Sequence, residues 1–255
     1  MSLVIVTYVP DGIVMASDSR QSITIEAKSP DGTELPKIET INSDSVYKSF
    51  LLSREDKGGN KYFEVGISSF GQDLLGGVSI ASHIKHFAEQ DLVDADDVAS
   101  IPKKLVSFFK SRFPTADTGF HVAGYKKDGK RSIPYVYYSH VAKNILEQRK
   151  NTNIEGNLIY GASWSGMIDV ISGLINPVVT TDQEGKQRVI KNAIPIVWDA
   201  MPLQDAIDFS IFAIRTTIDT IRFQARPKNV GGPVDVLVIT PDGARWIQRK
   251  ELKAI

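Results

Sequence analysis

The chain has 255 residues, 42% apolar and 24% charged, and its 11 Phe, 8 Tyr and 3 Trp can supply a sizeable core. Thirty basic residues balance thirty acidic ones, so no net field favours nucleic acid or an anionic membrane. The absence of cysteine excludes disulfides, thiolate catalysis and cysteine-ligated zinc. No apolar run approaches the roughly 20 residues that span a bilayer, and the first apolar stretch, "LVIVTYV", lacks a basic flank and a cleavage site, which predicts a cytoplasmic protein with no membrane partner.

From the start, Leu3 to Val9 and "GIVMASDS" are rich in β-branched residues and are separated by "PDG", the pattern of a hairpin. Pro10 suits the first central turn position and Gly12 the left-handed position of a three-residue loop. With either a two- or a three-residue loop, the register lays Asp18 to Arg20 beside Ser2 to Val4. Residues 27–45 are polar and turn-rich and read as an exposed excursion. "VYKSFLLS" and "KYFEVGISSF" form a second strand pair. Leu74, Val78, Ala81, Ile84 and Ala88 then recur at helical spacing, as do Val98, Ile101, Leu105, Phe108 and Phe109 behind the acidic start "DADD".

"TGFHVAGY" and "IPYVYYSHV" flank the turn "KKDGK" as another hairpin. "GMIDVISGLI" reads as a helix, residues 181–189 as a polar loop, and "PLQDAIDFSIFAIRTTIDTIRF" as a long helix with Pro202 in its first turn. "VGGPVDVLVIT" and "ARWIQ" close the chain as a third turn-linked pair. Strands separated by helix pairs argue against a doubly wound parallel sheet. They predict an α+β fold in which two antiparallel sheets pack together with helices on both outer faces, a four-layer αββα sandwich built as one domain over 1–255.

"GIVMASDSR", "VAGYKKDGKRSIPYVYYS" and "VGGPVDVLVITPDGARWI", in that order and at comparable separations, resemble the proteasome β-subunit family, with 27–45 and 181–191 as insertions. The resemblance implies the fold of N-terminal-nucleophile hydrolases and chemistry at an exposed chain start. Removal of Met1 would leave Ser2 with a hydroxyl nucleophile and a free α-amine as its base. It implies further that Asp18 and Arg20 are the acidic and basic pair after the second strand, that Lys48 is the active-site lysine, and that the Ser68 N–H is the oxyanion donor. No cofactor and no metal are implied. The substrate would be a peptide or another amide, and the assembly a homo-oligomeric ring.

Three positions depart from that pattern. Ala162 in "YGASW" stands where a serine is usual, and Pro227 and Val230 before Gly231 and Gly232 replace an aspartate and a serine. Some bacterial proteasome-like proteins, such as those called Anbu, diverge similarly beside this turn. Two alternatives therefore stand beside the peptidase: a catalytically silent subunit that builds a ring or scaffold, and an acylase of a small amide. His83 and His86 lie one helical turn apart without a third ligand and read as a solvated helix face. His121 and His140, within strands, read as structural.

Overall fold

The computed structural model describes residues 2–25, 29, 31–34, 36, 38–55, 61–182, 184–191 and 194–251. In chain order the elements begin with strands β1 (Leu3–Val9), β2 (Gly12–Ser17), β3 (Gln21–Ile25), β4 (Ile38–Ser43), β5 (Ser49–Glu55) and β6 (Lys61–Gly71). A tiny hairpin, β7 (Leu74–Leu75) and β8 (Val78–Ser79), leads into helices α1 (Ile80–Gln90) and α2 (Ile101–Arg112). Strands β9 (Thr118–Asp128), β10 (Arg131–His140), β11 (Ile145–Arg149) and β12 (Gly161–Gly166) follow, then α3 (Asp169–Ile175), β13 (Val178–Thr181), β14 (Gln187–Lys191), the long α4 (Leu203–Phe223), β15 (Asp235–Thr240) and β16 (Gly243–Gln248).

The strands make an α+β fold with two five-stranded antiparallel sheets, ordered β12-β1-β2-β15-β16 and β11-β10-β9-β6-β5. Alternation along β1 sends its side chains to two different environments. Leu3 and Ile5 meet Ile207, Ala213, Ile214 and Ile221 of α4, while Val6 and Tyr8 join Met15, Leu237, Ala123 and Val136 between the two sheets. The second sheet turns Val65, Ile67, Phe120 and Val122 toward Ile84, Phe87, Leu105 and Phe109 of α1 and α2. Each such side chain, fully removed from water, contributes about 1.5–3 kcal/mol before entropy is counted. No helix among the described residues is long and apolar enough to cross a membrane.

Several expectations need correction. The first turn has two residues: Gly12 pairs with Val9 inside β2 and does not adopt a left-handed φ. Leu74 and Val78 are exposed in the β7–β8 hairpin, because the positive φ of Gly76 and Gly77 breaks helical continuity; α1 starts at Ile80, where the Ser79 hydroxyl accepts the Ser82 N–H. Within 27–45, residues 38–43 form β4 and pair with β3, while 27, 28, 30, 35 and 37 lie outside the described residues. Of the polar stretch at 181–189, Thr181 ends β13 and 187–189 belong to its partner strand β14, while 183 lies outside the described residues.

Candidate active site

The β1–β2 register, Val4 opposite Ser17, sets the first piece of the site. Asp18 falls opposite Leu3 and donates its backbone N–H to the Leu3 carbonyl at 3.2 Å. The Asp18 side chain is fully buried and gathers four donors. Its Oδ1 accepts the Leu3 N–H and the Lys48 ammonium, each at 2.8 Å; its Oδ2 accepts the N–H groups of Arg20 and Gly231, each at 3.1 Å. A buried carboxylate is stable only when its lone pairs are filled in this way.

Lys48 is buried as completely as its partner and directs a second hydrogen bond, 2.5 Å long, to the Arg20 carbonyl. It stands just before β5, anchored by the Ser69 N–H on its own carbonyl at 2.8 Å. The ammonium and the Leu3 amide thus share one carboxylate oxygen, one residue from Ser2. Arg20 hydrogen-bonds this centre through its backbone N–H and carbonyl. Its guanidinium turns outward, Nε and Nη2 gripping the two oxygens of Asp44 at 2.6 and 2.7 Å while Nη1 holds the Lys228 carbonyl at 3.0 Å. That fork raises the pKa of Arg20 and lowers that of Asp44, the hydrogen bond between them being the largest cause in both. The guanidinium lies against Gly231, where a Cβ would come within 2.4 Å of Cζ.

Ser2 is fully buried, and its hydroxyl has no hydrogen-bond partner among the described residues. Its carbonyl accepts the Met167 N–H at 2.8 Å, just past the end of β12, where Gly166 pairs with Leu3 at a φ of 98°. A Cβ on Gly166 would lie 1.7 Å from the Ser2 oxygen, so only glycine permits this approach. Met1 lies outside the described residues.

Ser68 lies in the second sheet, on β6. It is a central-strand residue between Ser49 of β5 and His121 of β9, and because the neighbouring Ser69 N–H points to Lys48, the Ser68 N–H points the other way, into the β9 ladder. Its hydroxyl joins a buried chain, Ser17 to Ser49 at 2.9 Å and Ser49 to Ser68 at 3.0 Å. On the other side His121 meets the Ser165 hydroxyl through Nε2 at 2.9 Å, and burial drives its pKa down to about 3, so the ring is neutral. Ser17 and Ser165 flank Val4 in one sheet just as Ser49 and His121 flank Ser68 in the other. Asp73, half-buried, belongs to the same electrostatic neighbourhood: burial raises its pKa, Asp18 adds to that, and Lys48 opposes it.

The three departures also find their places. Ala162 pairs with Thr7, five residues along β1 from Ser2 and about 17 Å away at strand rise, so a hydroxyl there would not reach the site. Val230 is buried in the apolar cluster under α4, and Pro227 lines a cleft. Sequence reasoning missed Gly166, Met167 and Ser165, whose only sequence signal is a glycine closing "SWSG". His83 bonds the Leu75 carbonyl and packs edge-on against Phe109 and Phe113. No group of three or more metal-ligating side chains occurs among the described residues.

No protein-family model and no curated protein matches the chain. Solved structures do. A mutant Anbu from Hyphomicrobium sp. strain MC1 superposes with a TM-score of 0.57 at 15% identity over 98% of this chain and 86% of that one. Anbu, described as an ancestral beta-subunit, from Yersinia bercovieri gives 0.56 at 14% identity over 98% and 88%. The chain shares the Anbu fold. At this identity the likeness concerns fold alone, and it corrects the resemblance drawn from motifs: Anbu is proteasome-like but distinct from the proteasome β-subunit family. The motifs misdirected because β-branched strands joined by glycine-bearing turns encode a hairpin and carry nothing specific to one family.

Proposed function

We propose that the chain is an N-terminal-nucleophile amidase acting on peptides, with Ser2 as nucleophile after removal of Met1. The observation that carries this reading is the buried Ser2 hydroxyl without a partner among the described residues, one residue from a buried Lys48–Asp18 pair. The freed α-amine, with an ordinary pKa of about 7.7–8.0, would be pushed lower by the Lys48 charge and would take the hydroxyl proton at neutral pH. Oγ bonds to the scissile carbonyl carbon, the C–N bond breaks as the proton passes to the leaving nitrogen, and an ester to Ser2 remains. Water, deprotonated by the same amine, then cleaves that ester. Asp18 holds Lys48, the Arg20 carbonyl steadies it, and Gly166 with Met167 fixes the Ser2 backbone. The Ser68 N–H, directed into the ladder, is left out of the oxyanion role. The same reading takes 1–255 as one four-layer αββα domain that assembles with its own copies into a ring.

The second reading, a silent proteasome-fold subunit, draws on the complete burial of Ser2. Intact mass after treatment with a peptide epoxyketone, which closes on hydroxyl and amine together, separates the two. Loss of Met1 with one adduct that Ser2→Ala abolishes is the expected result. Retained Met1, or turnover unchanged by Ser2→Ala, would overturn the amidase reading.

A further inference from the structure

The two helical layers present different faces to their surroundings. Among the described residues, α1 and α2 expose no large apolar side chain, whereas α4 exposes Phe212 at 53% and Phe223 at 83%. One face of α4, from Ala206 to Ile221, is buried toward the first sheet. The opposite stripe, Asp205, Asp208, Phe212, Arg215, Asp219 and Arg222, is exposed at every position. Its spacing, alternately three and four residues, is that of the seam along which two helices pack. Arg215 and Asp219 stand one turn apart, yet neither forms an ion pair or hydrogen bond with any described residue.

The order of charges along the stripe selects its partner. The same stripe laid beside it in parallel and in register sets arginine against arginine and aspartate against aspartate, which repels. Antiparallel, with Arg215 of one copy facing Asp219 of the other, two-fold symmetry repeats that pair and sets Phe212 against Arg222 twice. No layer within the two helices then opposes like charges. Sliding the pair by seven residues is worse either way: one direction sets Asp208 against Asp219, and the other leaves only Asp219 facing Arg222 at the helix ends. The surface that fits this stripe is therefore the same stripe on a second copy.

We propose that two copies of the chain pair through α4, antiparallel about a two-fold axis, with two Arg215–Asp219 ion pairs flanking the axis and each Phe212 ring covered by the Arg222 guanidinium of the other copy. The contact depends on neither the amidase reading nor the ring. A 21-residue helix is about 30 Å long, and a strip about 10 Å wide along it removes roughly 600 Å² from the two copies together, about half of what the smallest stable interfaces bury. The dimer is therefore weak, with a Kd of about 10–100 µM, and salt-sensitive because its ion pairs lie near water.

The chain has no cysteine, so a disulfide can report this contact alone. Full-length Arg215→Cys and Asp219→Cys proteins are treated with a mild oxidant, each alone and after co-expression. Together they are expected to give a covalent dimer: the two cysteines replace one ion pair while the other, Asp219 of one copy with Arg215 of its partner, remains. Alone, neither crosslinks, because each cysteine faces an unaltered side chain. Sedimentation velocity at low salt supplies the charge test. Arg215→Glu weakens association at least about tenfold, and adding Asp219→Lys to the same chain restores it to within a few-fold. No crosslink from the pair, a crosslink formed equally by either variant alone, or a loss that the second substitution does not repair would overturn the proposal. Wild-type protein that stays monomeric at about 300 µM in ~50 mM salt would overturn it as well. A ring that forms without the crosslink removes the α4 contact and leaves the ring.

Discussion

Replacing Gly166 by alanine tests whether the close approach of β12 to Ser2 is as constrained as the geometry implies. The new Cβ would stand 1.7 Å from the Ser2 oxygen and 2.6 Å from its carbonyl carbon. Both are backbone atoms, and the Met167 N–H already fixes the oxygen at 2.8 Å, so no flexible side chain can yield. Three costs combine: crowding, about 1–3 kcal/mol; a side chain at a φ of 98°, about 1–2 kcal/mol; and loss of a buried hydrogen bond, about 1–3 kcal/mol. A total near 4 kcal/mol or more is a large part of the roughly 5–15 kcal/mol that holds a domain together. Equilibrium urea unfolding, followed through Trp164 on the same strand, would move its midpoint down by about 1.5 M at a slope of about 2–3 kcal/mol/M. Gly161→Ala is the control, since its Cβ would meet nothing nearer than the Tyr8 hydroxyl at 3.4 Å. If the two midpoints fell within about 0.3 M of each other, the argument from contact and φ would fail.

Lys48→Met strands a buried carboxylate and should cost about 3–5 kcal/mol in urea unfolding. Asp44→Asn, breaking a pair whose acid is 43% exposed, should cost about 1 kcal/mol or less, and reversal of that order would refute the assignment of the buried pair as the dominant one. His121 is neutral in the fold with a pKa lowered to about 3, whereas the unfolded chain takes up the proton near 6.5. The unfolded state therefore binds more protons between these values; stability is intact above about 6.5 and falls by about 1.4 kcal/mol for each pH unit below it. His121→Gln should remove that slope, leaving wild type about 2 kcal/mol more sensitive than the variant between pH 7 and 5, and equal sensitivity would contradict a neutral buried ring. Ser2→Ala deletes a buried hydroxyl that has no partner among the described residues, so thermal unfolding should be unchanged or shifted slightly upward; a loss of more than about 1 kcal/mol would mean the hydroxyl has a partner in solution.

What could be read from the sequence was what local structure decides. The "PDG" between two β-branched runs dictates a hairpin, and a hairpin of either loop length brings Asp18 beside Leu3. Lys48 is different, because its ammonium meets Asp18 only after two sheets have packed. The error at "YGASW" has the same origin: β12 joins β1 through pairing over more than 150 residues, and nothing local says that Ala162 faces Thr7 while Gly166 faces Leu3. Hairpins β3–β4 and β13–β14 went unread because many of their side chains face water, which removes the alternating apolar signal on which strand reading depends. At Leu74 and Val78 the helical spacing was real, but two consecutive glycines with positive φ overrode it.

The four donors that converge on Asp18 come from residues 3, 20, 48 and 231. During synthesis, at roughly 5–20 residues per second, the first three leave the ribosome long before the fourth. A nascent chain can form the β1–β2 hairpin early, yet its carboxylate lacks one oxygen's second donor until the turn at Gly231 has emerged and β15 has closed the loop, a slow step because loop-closure entropy precedes its reward. The centre is therefore complete only once residue 231 has been synthesised. A chain cut short before residue 231 would carry every side chain proposed for catalysis and still have no finished site with which to cut its neighbours.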